Sequence, residues 1–455
     1  MNVVGMGAEG LPWLGAQHFT DTEHVFSNIG DGTYTHSGIL AIRAALSASA
    51  NVTFKILYND AVAMTGGQPL EGNIQPEQIA AELIAEGVSP VVLVSDQPEK
   101  WIGKLPSTVR ILERDRLDAL QRELRAVKGV SAIIYEQTCA NEKRRRRKRG
   151  TAPDPDMRLY INPAVCEGCG DCSRQSNCVS ITPLETEFGR KRVIDQSNCN
   201  KDYSCIKGFC PSFVTVRGAT VAKRAADLSA LDALKAKLPD PAITDISDSY
   251  AMLVTGIGGT GVLTVGAVLG MAAHMEGKAA KVLDMTGMAQ KGGGVMSHIR
   301  FANDATRIPN ARLGAGQADL LIACDLVVAS GPDVAKSVRA DSYVLANEDV
   351  VPTGEFQTRK DMDFRAATFL PAIAQRVEDK NIALVRANAL AAKLLGDTIF
   401  TNFLMVGYAA QKGLLPVGLE AIREAVRLNG TAVSANLHAI EIGRIAAAFP
   451  DELEA

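Results

Sequence analysis

The sequence predicts an α/β protein in three blocks, two parallel-sheet blocks flanking a short one that depends on metal, and three observations carry the prediction. From residue 1 to about 142, apolar strand-like runs alternate with amphipathic helical patterns, which indicates a parallel sheet covered on both faces. Between Cys166 and Cys210 lie seven of the nine cysteines. From Ala251 an apolar strand, Ala251–Thr255, runs into Gly256-Ile-Gly-Gly-Thr-Gly261 and then into an Ala/Val/Leu-rich helical pattern ending near Met275.

In the first block, Ile39–Ala50 has amphipathic helical spacing, Thr53–Tyr58 reads as a strand, Pro76–Glu86 as a helix, and Pro90–Ser95 as a buried Val-rich strand. The opening MNVVGMGAEG has no strand-helix unit before its glycine-rich turn and reads as the middle of a domain. Ser131–Tyr135 is a last strand, followed by KRRRRKR at 143–149. That run has no interleaved aromatics and is expected, with the Pro/Asp-rich stretch to 156, to be a solvated basic linker; a docking strip for an anionic partner is the alternative. The cysteine block, 157–218, is too short for a large apolar core and should fold around metal. Residues 219–248 read as a helical connector and 249–455 as the second α/β block.

Composition narrows the function classes. A hydrophobic content of 47% with 22% charged residues is globular, and no apolar run reaches membrane-spanning length. A net charge of -3 gives no global pull toward nucleic acid or anionic membrane. The start of the chain lacks the charged and apolar regions of a secretory signal, so the cysteines are expected reduced, in a cytoplasmic setting.

The cysteines form two runs, Cys166-Glu-Gly-Cys169-Gly-Asp-Cys172-x5-Cys178 and Cys199-x2-Asp202-x2-Cys205-x4-Cys210-Pro211. In two-cluster bacterial ferredoxins the last cysteine of each run ligates the other run's cluster. Cys166, Cys169, Cys172 and Cys210 should thus hold one 4Fe-4S cluster, and Cys199, Cys205 and Cys178 the second, with Asp202 where its middle cysteine would stand. A carboxylate is a harder, weaker partner for iron than a thiolate, so this second cluster is expected to be 3Fe-4S or to have one labile iron. The spacers before Cys178 and Cys210 are longer than the usual three residues. Zinc would want two clean Cys-x2-Cys pairs, which are not here.

Gly30-Asp31-Gly32 is followed by Asn59 and then by Thr65-Gly-Gly-Gln68. In thiamine diphosphate enzymes an aspartate and a downstream Asn or Thr oxygen hold Mg2+, which the diphosphate oxygens complete; magnesium prefers such oxygen ligands in octahedral geometry. The flanking glycines allow close backbone approach to phosphates. The glycine-rich turn at 256–261 admits a dinucleotide reading, with Asp284 as the acidic residue about 20 positions on.

Together NIGDGTYTHSG at 28–38, YNDAVAMTGGQP at 58–69, QTCANEKRRRRKRG at 137–150, the cysteine array, GIGGTG at 256–261, MAQKGGGVMSHIRF at 288–301 and GQADLLIACD at 316–325 resemble the indolepyruvate ferredoxin oxidoreductases in their fused bacterial form, within the 2-oxoacid:ferredoxin oxidoreductases. The resemblance covers nearly the whole chain. It implies part of a thiamine-diphosphate-binding parallel-sheet domain at 1–142, a small two-cluster ferredoxin-like domain at 157–218 and a Rossmann-like α/β gamma domain at 249–455.

The same resemblance makes Asp31 and Asn59 side-chain ligands of Mg2+, with the Ala61 carbonyl as a third, and puts Gly30, Gly32, Thr65 and Gly67 beside the diphosphate. Cys139 matches a position that completes a further cluster whose other cysteines lie upstream in the family; here it is either a ligand awaiting a partner chain or a plain buried cysteine. The gamma domain implies a role in CoA access, with the turn glycines Gly256, Gly258, Gly259 and Gly261, and with Gln290, Lys291, His298 and Arg300 as contacts to substrate or CoA. Cys324 reads as an inert core residue. The implied reaction is CoA-dependent oxidative decarboxylation of an arylpyruvate, with ferredoxin as electron acceptor. The aminopyrimidine-binding half of a thiamine site is not recognisable, so a second subunit is expected to supply it, in an oligomer.

Overall fold

The computed structural model describes residues 4–62, 69, 70, 72, 74–196, 198–218, 229–286, 293–352 and 354–454. The chain divides into two compact units, residues 1–154 and 155–455.

The first unit is built on a five-stranded, all-parallel sheet of β1 (Val25–Gly30), β2 (Val52–Tyr58), β3 (Val91–Ser95), β4 (Arg110–Glu113) and β5 (Val130–Glu136), in the order β1-β2-β5-β3-β4. All five β3 residues are buried, as a strand covered on both faces must be. Each fully buried Val or Leu side chain contributes about 1.5–3 kcal/mol. The helix Ile39–Ser47 buries Ala41, Ile42 and Ala45. The helix Pro76–Ala85 starts at a reciprocal capping box between Gln75 and Gln78, with Pro76 in its first turn, where the missing N–H does no harm.

The basic run differs from its expected linker character. Residues 140–148 form a helix, because its charges find partners at its own turn and across the unit. The buried Glu142 carboxylate lies 3.1 Å from Arg146 and 3.6 Å from Arg145, and Lys143 donates to Asp96 at 3.3 Å.

In the second unit β6 (Met157–Ile161) pairs antiparallel with β9 (Phe213–Arg217), and β7 (Ile181–Thr186) with β8 (Gly189–Ile194). These two ribbons enclose a small core of Leu159, Ile161, Ile181 and Ile194 together with cysteines. Of the 219–248 connector the described helix is Ser229–Lys235, and 219–228 lie outside the described residues.

The larger sheet has six strands: β10 (Tyr250–Ile257), β11 (Ala279–Thr286), β12 (Gly294–Ala302), β13 (Leu320–Ala323), β14 (Tyr343–Asn347) and β15 (Ile382–Val385), in the order β11-β12-β10-β13-β14-β15. β10, β13, β14 and β15 run parallel, and β12 is antiparallel to both β10 and β11. The helix Val262–Met275 packs on this sheet through Val265, Val268, Leu269 and Ala272. The helices Thr401–Gln411 and Val433–Ala448 bury most of their residues in the same core. Among the described residues no helix is long and apolar enough to cross a membrane.

Candidate functional site

In the first unit the carboxyl ends of β1, β2 and β5 gather the expected residues, at the edge where open parallel sheets bind ligands. Asp31 follows β1 directly and is only 3% exposed. Its Oδ1 accepts from the Gly32 N–H at 2.9 Å, and its Oδ2 from the N–H groups of Asn59 at 2.8 Å and Asp60 at 3.0 Å. Burial pushes its carboxyl above the ordinary value, against the pull of those three donors. A carboxylate has about four acceptor positions, so one remains for a cation. Asn59 follows β2, next to β1, and its Oδ1 is buried with no hydrogen-bond partner among the described residues. Such an atom calls for a donor or an ion.

Ala61, 2% exposed, continues the turn. Asp60 between them takes a left-handed φ of 58°, and Arg146 of the basic helix donates to the Asp60 carbonyl at 3.3 Å. Two acidic or amide oxygens on adjacent strand ends, one of them orphaned, fit an oxygen-seeking divalent ion. Cys139 stands at the N-terminus of the basic helix, its carbonyl accepting from Lys143 at 2.8 Å. Thr65 and Gly67 lie outside the described residues.

In the second unit the cysteines fall into two groups. Cys166 and Cys210 lie near enough to Cys172 to interact with it electrostatically, as do Cys178, Cys199 and Asp202 with Cys205. The second group lines a small cavity of about 20 Å³ with Leu159, Ile181, Ile194 and Tyr203. Burial pushes the Cys172 thiol up to about 11 and the Cys205 thiol up to about 12, and raises Cys199. Iron ligation needs thiolates, so loading a cluster would release these protons. No disulfide is present among the described residues, which include all nine cysteines.

The two runs share a backbone geometry that their sequences conceal. Gly168 and Lys201, each two residues past a first cysteine, have φ values of 70° and 52°. Each donates its N–H to that cysteine's Sγ, Gly168 to Cys166 and Lys201 to Cys199, both at 3.4 Å. Gly170 and Tyr203, two residues further, have φ values of 84° and 60°. Asp202 therefore occupies in the second loop the place of Cys169 in the first. Its Oδ1 accepts from the Ser204 N–H at 3.3 Å and hydroxyl at 2.9 Å. The left-handed backbone at Lys201 and Tyr203 is a strained choice for residues with a Cβ.

Among the described residues no three His, Cys, Asp or Glu side chains converge to hold a single ion. A cubane spreads its thiolates, one to each iron, and the Asp31–Asn59 pair needs only one carboxylate.

In the larger sheet the turn after β10 approaches its surroundings closely. A Cβ on Gly256 would meet Val262 at 2.7 Å, and Gly259 and Gly261 take φ values of 89° and 96°. The Gly258 N–H donates to the Gly293 carbonyl at 2.8 Å. Asp284 does not serve this turn. β12 lies between β11 and β10, where a dinucleotide fold would set its second strand beside the first. Asp284 instead accepts from the Ser297 hydroxyl at 2.7 Å.

His298 and Arg300 are both buried on β12, His298 accepting from the Leu313 N–H at 3.2 Å and Arg300 donating to Gln317, while His298 Nε2 and Arg300 Nε have no hydrogen-bond partner among the described residues. Gln290 and Lys291 lie outside the described residues. Cys324 is buried, and burial pushes its thiol up to about 12. Spacing alone gave no signal for Asp60 and Arg146, which the folded chain brings beside Asn59 and Ala61.

Residues 251–446 match the pyruvate ferredoxin/flavodoxin oxidoreductase family. The gamma subunit of a keto/oxoacid ferredoxin oxidoreductase from Geobacter sulfurreducens aligns over 44% of this chain and 98% of its own, at 19% identity and a TM-score of 0.32. Indolepyruvate oxidoreductase subunit IorB of Pyrococcus horikoshii is 28% identical over 199 residues, 43% of this chain and 94% of that protein. Subunit IorA of the indolepyruvate oxidoreductase of Thermococcus kodakarensis is 28% identical over 197 residues, 41% of this chain and 27% of that protein. Residues 251–446 thus resemble the pyruvate ferredoxin/flavodoxin oxidoreductases, and the chain is similar to two kinds of indolepyruvate oxidoreductase subunit, IorB and IorA.

Proposed function

We propose that the chain takes part in thiamine-diphosphate-dependent oxidative decarboxylation of an arylpyruvate, with CoA taking the acyl group and electrons leaving singly through two iron–sulfur clusters to ferredoxin, in a reducing cytoplasm. The observation that carries the reading is the buried Asp31 carboxylate, which accepts from the Asn59 N–H, on the strand end next to an Asn59 Oδ1 with no partner among the described residues. Thiamine diphosphate, when bound, supplies the carbanion chemistry, and no protein nucleophile is needed.

The chain's residues bind and orient. Asp31, Asn59 and the Ala61 carbonyl would hold Mg2+, and the backbone at Gly30, Gly32, Thr65 and Gly67 would approach the diphosphate. Cys166, Cys169, Cys172 and Cys210 would hold one cluster, and Cys178, Cys199, Cys205 and Asp202 the other. Gly256 to Gly261, Gln290 and Lys291 would serve CoA access. That the relatives are named as subunits supports a partner chain, which we assign the aminopyrimidine side of the thiamine site and the cysteines that join Cys139.

Anaerobic mixing with a chain that carries the aminopyrimidine-binding half tests the proposal. Reduction of a viologen dye should then need an arylpyruvate, CoA and thiamine diphosphate together, and neither chain alone should turn over. Clusters that accept electrons from dithionite but never from an arylpyruvate in the mixture would leave only an electron-transfer module.

A further inference from the structure

β8 carries a guanidinium with no ordinary counter-group. Arg192 is 1% exposed, and its Nε and Nη2 make no hydrogen bond among the described residues. Its Nη1 has only a long contact, 3.4 Å, to the Lys191 carbonyl. One face of the guanidinium lies 4.3 Å from the ring centroid of Phe356, a fully buried residue that packs edge-on against Phe364. Stacking on an aromatic ring returns only part of the loss on burying a cation. Two N–H-bearing nitrogens left without acceptors make the balance worse.

The missing partner is indicated by what surrounds the group. Arg192 Nη2 stands 3.5 Å from where a Cβ on Gly170 would be, and Gly170 lies inside Cys169-Gly-Asp-Cys172. The acidic groups that act on it are Cys172 and Cys166, which become negative only as thiolates, and Asp361, with Arg190 acting against them. The position is held from the far side. Arg190 donates to the carbonyls of Lys360 at 3.3 Å and Met362 at 2.5 Å, and Gln357 donates to the Ile181 carbonyl at 3.4 Å. The segment carrying Phe356 is thus fastened to the β7–β8 ribbon, and the guanidinium is clamped between its ring and the cysteine loop.

We propose that Arg192 is the cationic partner of the cluster held by Cys166, Cys169, Cys172 and Cys210, donating hydrogen bonds to its sulfurs and raising its reduction potential. This rests on the iron–sulfur reading above. When that cluster takes up one electron its charge becomes more negative by one, and nothing else is transferred. A desolvated positive charge in contact favours the reduced state, and hydrogen bonds to the sulfurs act in the same direction. Arg192 would then make this cluster the better electron acceptor of the two, since among the described residues the second group has no buried guanidinium beside it.

The test uses the full chain, loaded with iron and sulfide under anaerobic conditions, and follows both clusters by electron paramagnetic resonance during a redox titration. Arg192→Gln and Arg192→Met should load the same iron as the unaltered chain and shift one midpoint potential to a more negative value, leaving the other in place. Arg192→Lys, which keeps the charge without the planar fork, should fall between. Full iron with both midpoints unmoved in Arg192→Gln would overturn the proposal. So would a lysine variant shifted as far as the glutamine one, whether or not the methionine variant assembles. A chain that takes up no iron before any substitution refutes the iron–sulfur reading itself, and with it this inference.

Discussion

Asp202 is the residue at which sequence and backbone geometry meet most closely. The two cysteine loops repeat the same left-handed positions and the same N–H to Sγ hydrogen bonds, although the second has Lys201 and Tyr203 where the first has glycines. If Asp202 fills a ligand position, mild anaerobic oxidation of the loaded protein should give a 3Fe-4S paramagnetic signal, and Asp202→Cys should suppress it; a native protein with four-iron signals alone would remove Asp202 from the ligand set. His298 makes a separate residue-scale prediction. Burial holds its imidazole below the ordinary value of 6.5, so the folded state resists a proton that the unfolded state accepts. Its effect on stability is absent above about pH 6.5 and grows as a destabilisation while pH falls from there toward the folded value. His298→Gln should flatten the loss of denaturation midpoint between pH 7 and 5, and an unchanged slope would mean that other groups carry it. The two cysteine runs could be picked out in the sequence from their spacing alone. Arg192 was not, since nothing in Gly189-Arg-Lys-Arg192 separates a solvated cation from one that the fold buries against Phe356.

Among the elements, the helices Thr401–Gln411 and Val433–Ala448 cross through glycines. A Cβ on Gly407 would overlap the backbone carbonyl of Ile440, and one on Gly443 that of Leu404. Since the obstructing atoms are backbone, neither can rotate away, and the helices would have to separate. Gly443→Ala is expected to destabilise the second unit by about 1–3 kcal/mol, the usual range for overpacking, read as a lowered denaturant midpoint; a midpoint equal to that of the unaltered chain would show that the helices adjust freely. The strands β2, β3, β5 and β10 were readable from their runs of apolar and β-branched residues. The basic helix at 140–148 was not, because seven consecutive charges carry no apolar period, and its support comes from Asp96 and Glu142. The insertion of β12 beside β10 was equally hidden: a strand's pattern gives its burial, not its neighbour.

For the whole molecule, the division into two units lets the two proposed cofactors be tested separately. The ribbons β6–β9 and β7–β8 enclose a core in which cysteines take the place of larger apolar residues, whereas both larger sheets have extensive aliphatic cores. Removing iron with a chelator should raise amide exchange across 157–217 while β3 and β10 stay protected; uniform loss of protection would show that the sheets depend on the clusters. Composition and spacing suggested three blocks, whereas the folded chain divides into two compact units, with the cysteine-bearing ribbons and the six-stranded sheet in the same one. The sequence already put Asp31 and Asn59 together; that Asp31 is buried and that Asn59 Oδ1 has no partner among the described residues needed the fold, which sets β1 beside β2. The central claim is that this pair holds the ion of a thiamine diphosphate site, and calorimetric titration of the iron-loaded chain, in complex with its partner, with thiamine diphosphate and Mg2+ tests it most directly. Saturable, Mg2+-dependent binding that Asp31→Ala reduces at least tenfold, with iron content unchanged, is the expected result; binding that ignores Asp31→Ala, or no binding at all, would contradict it.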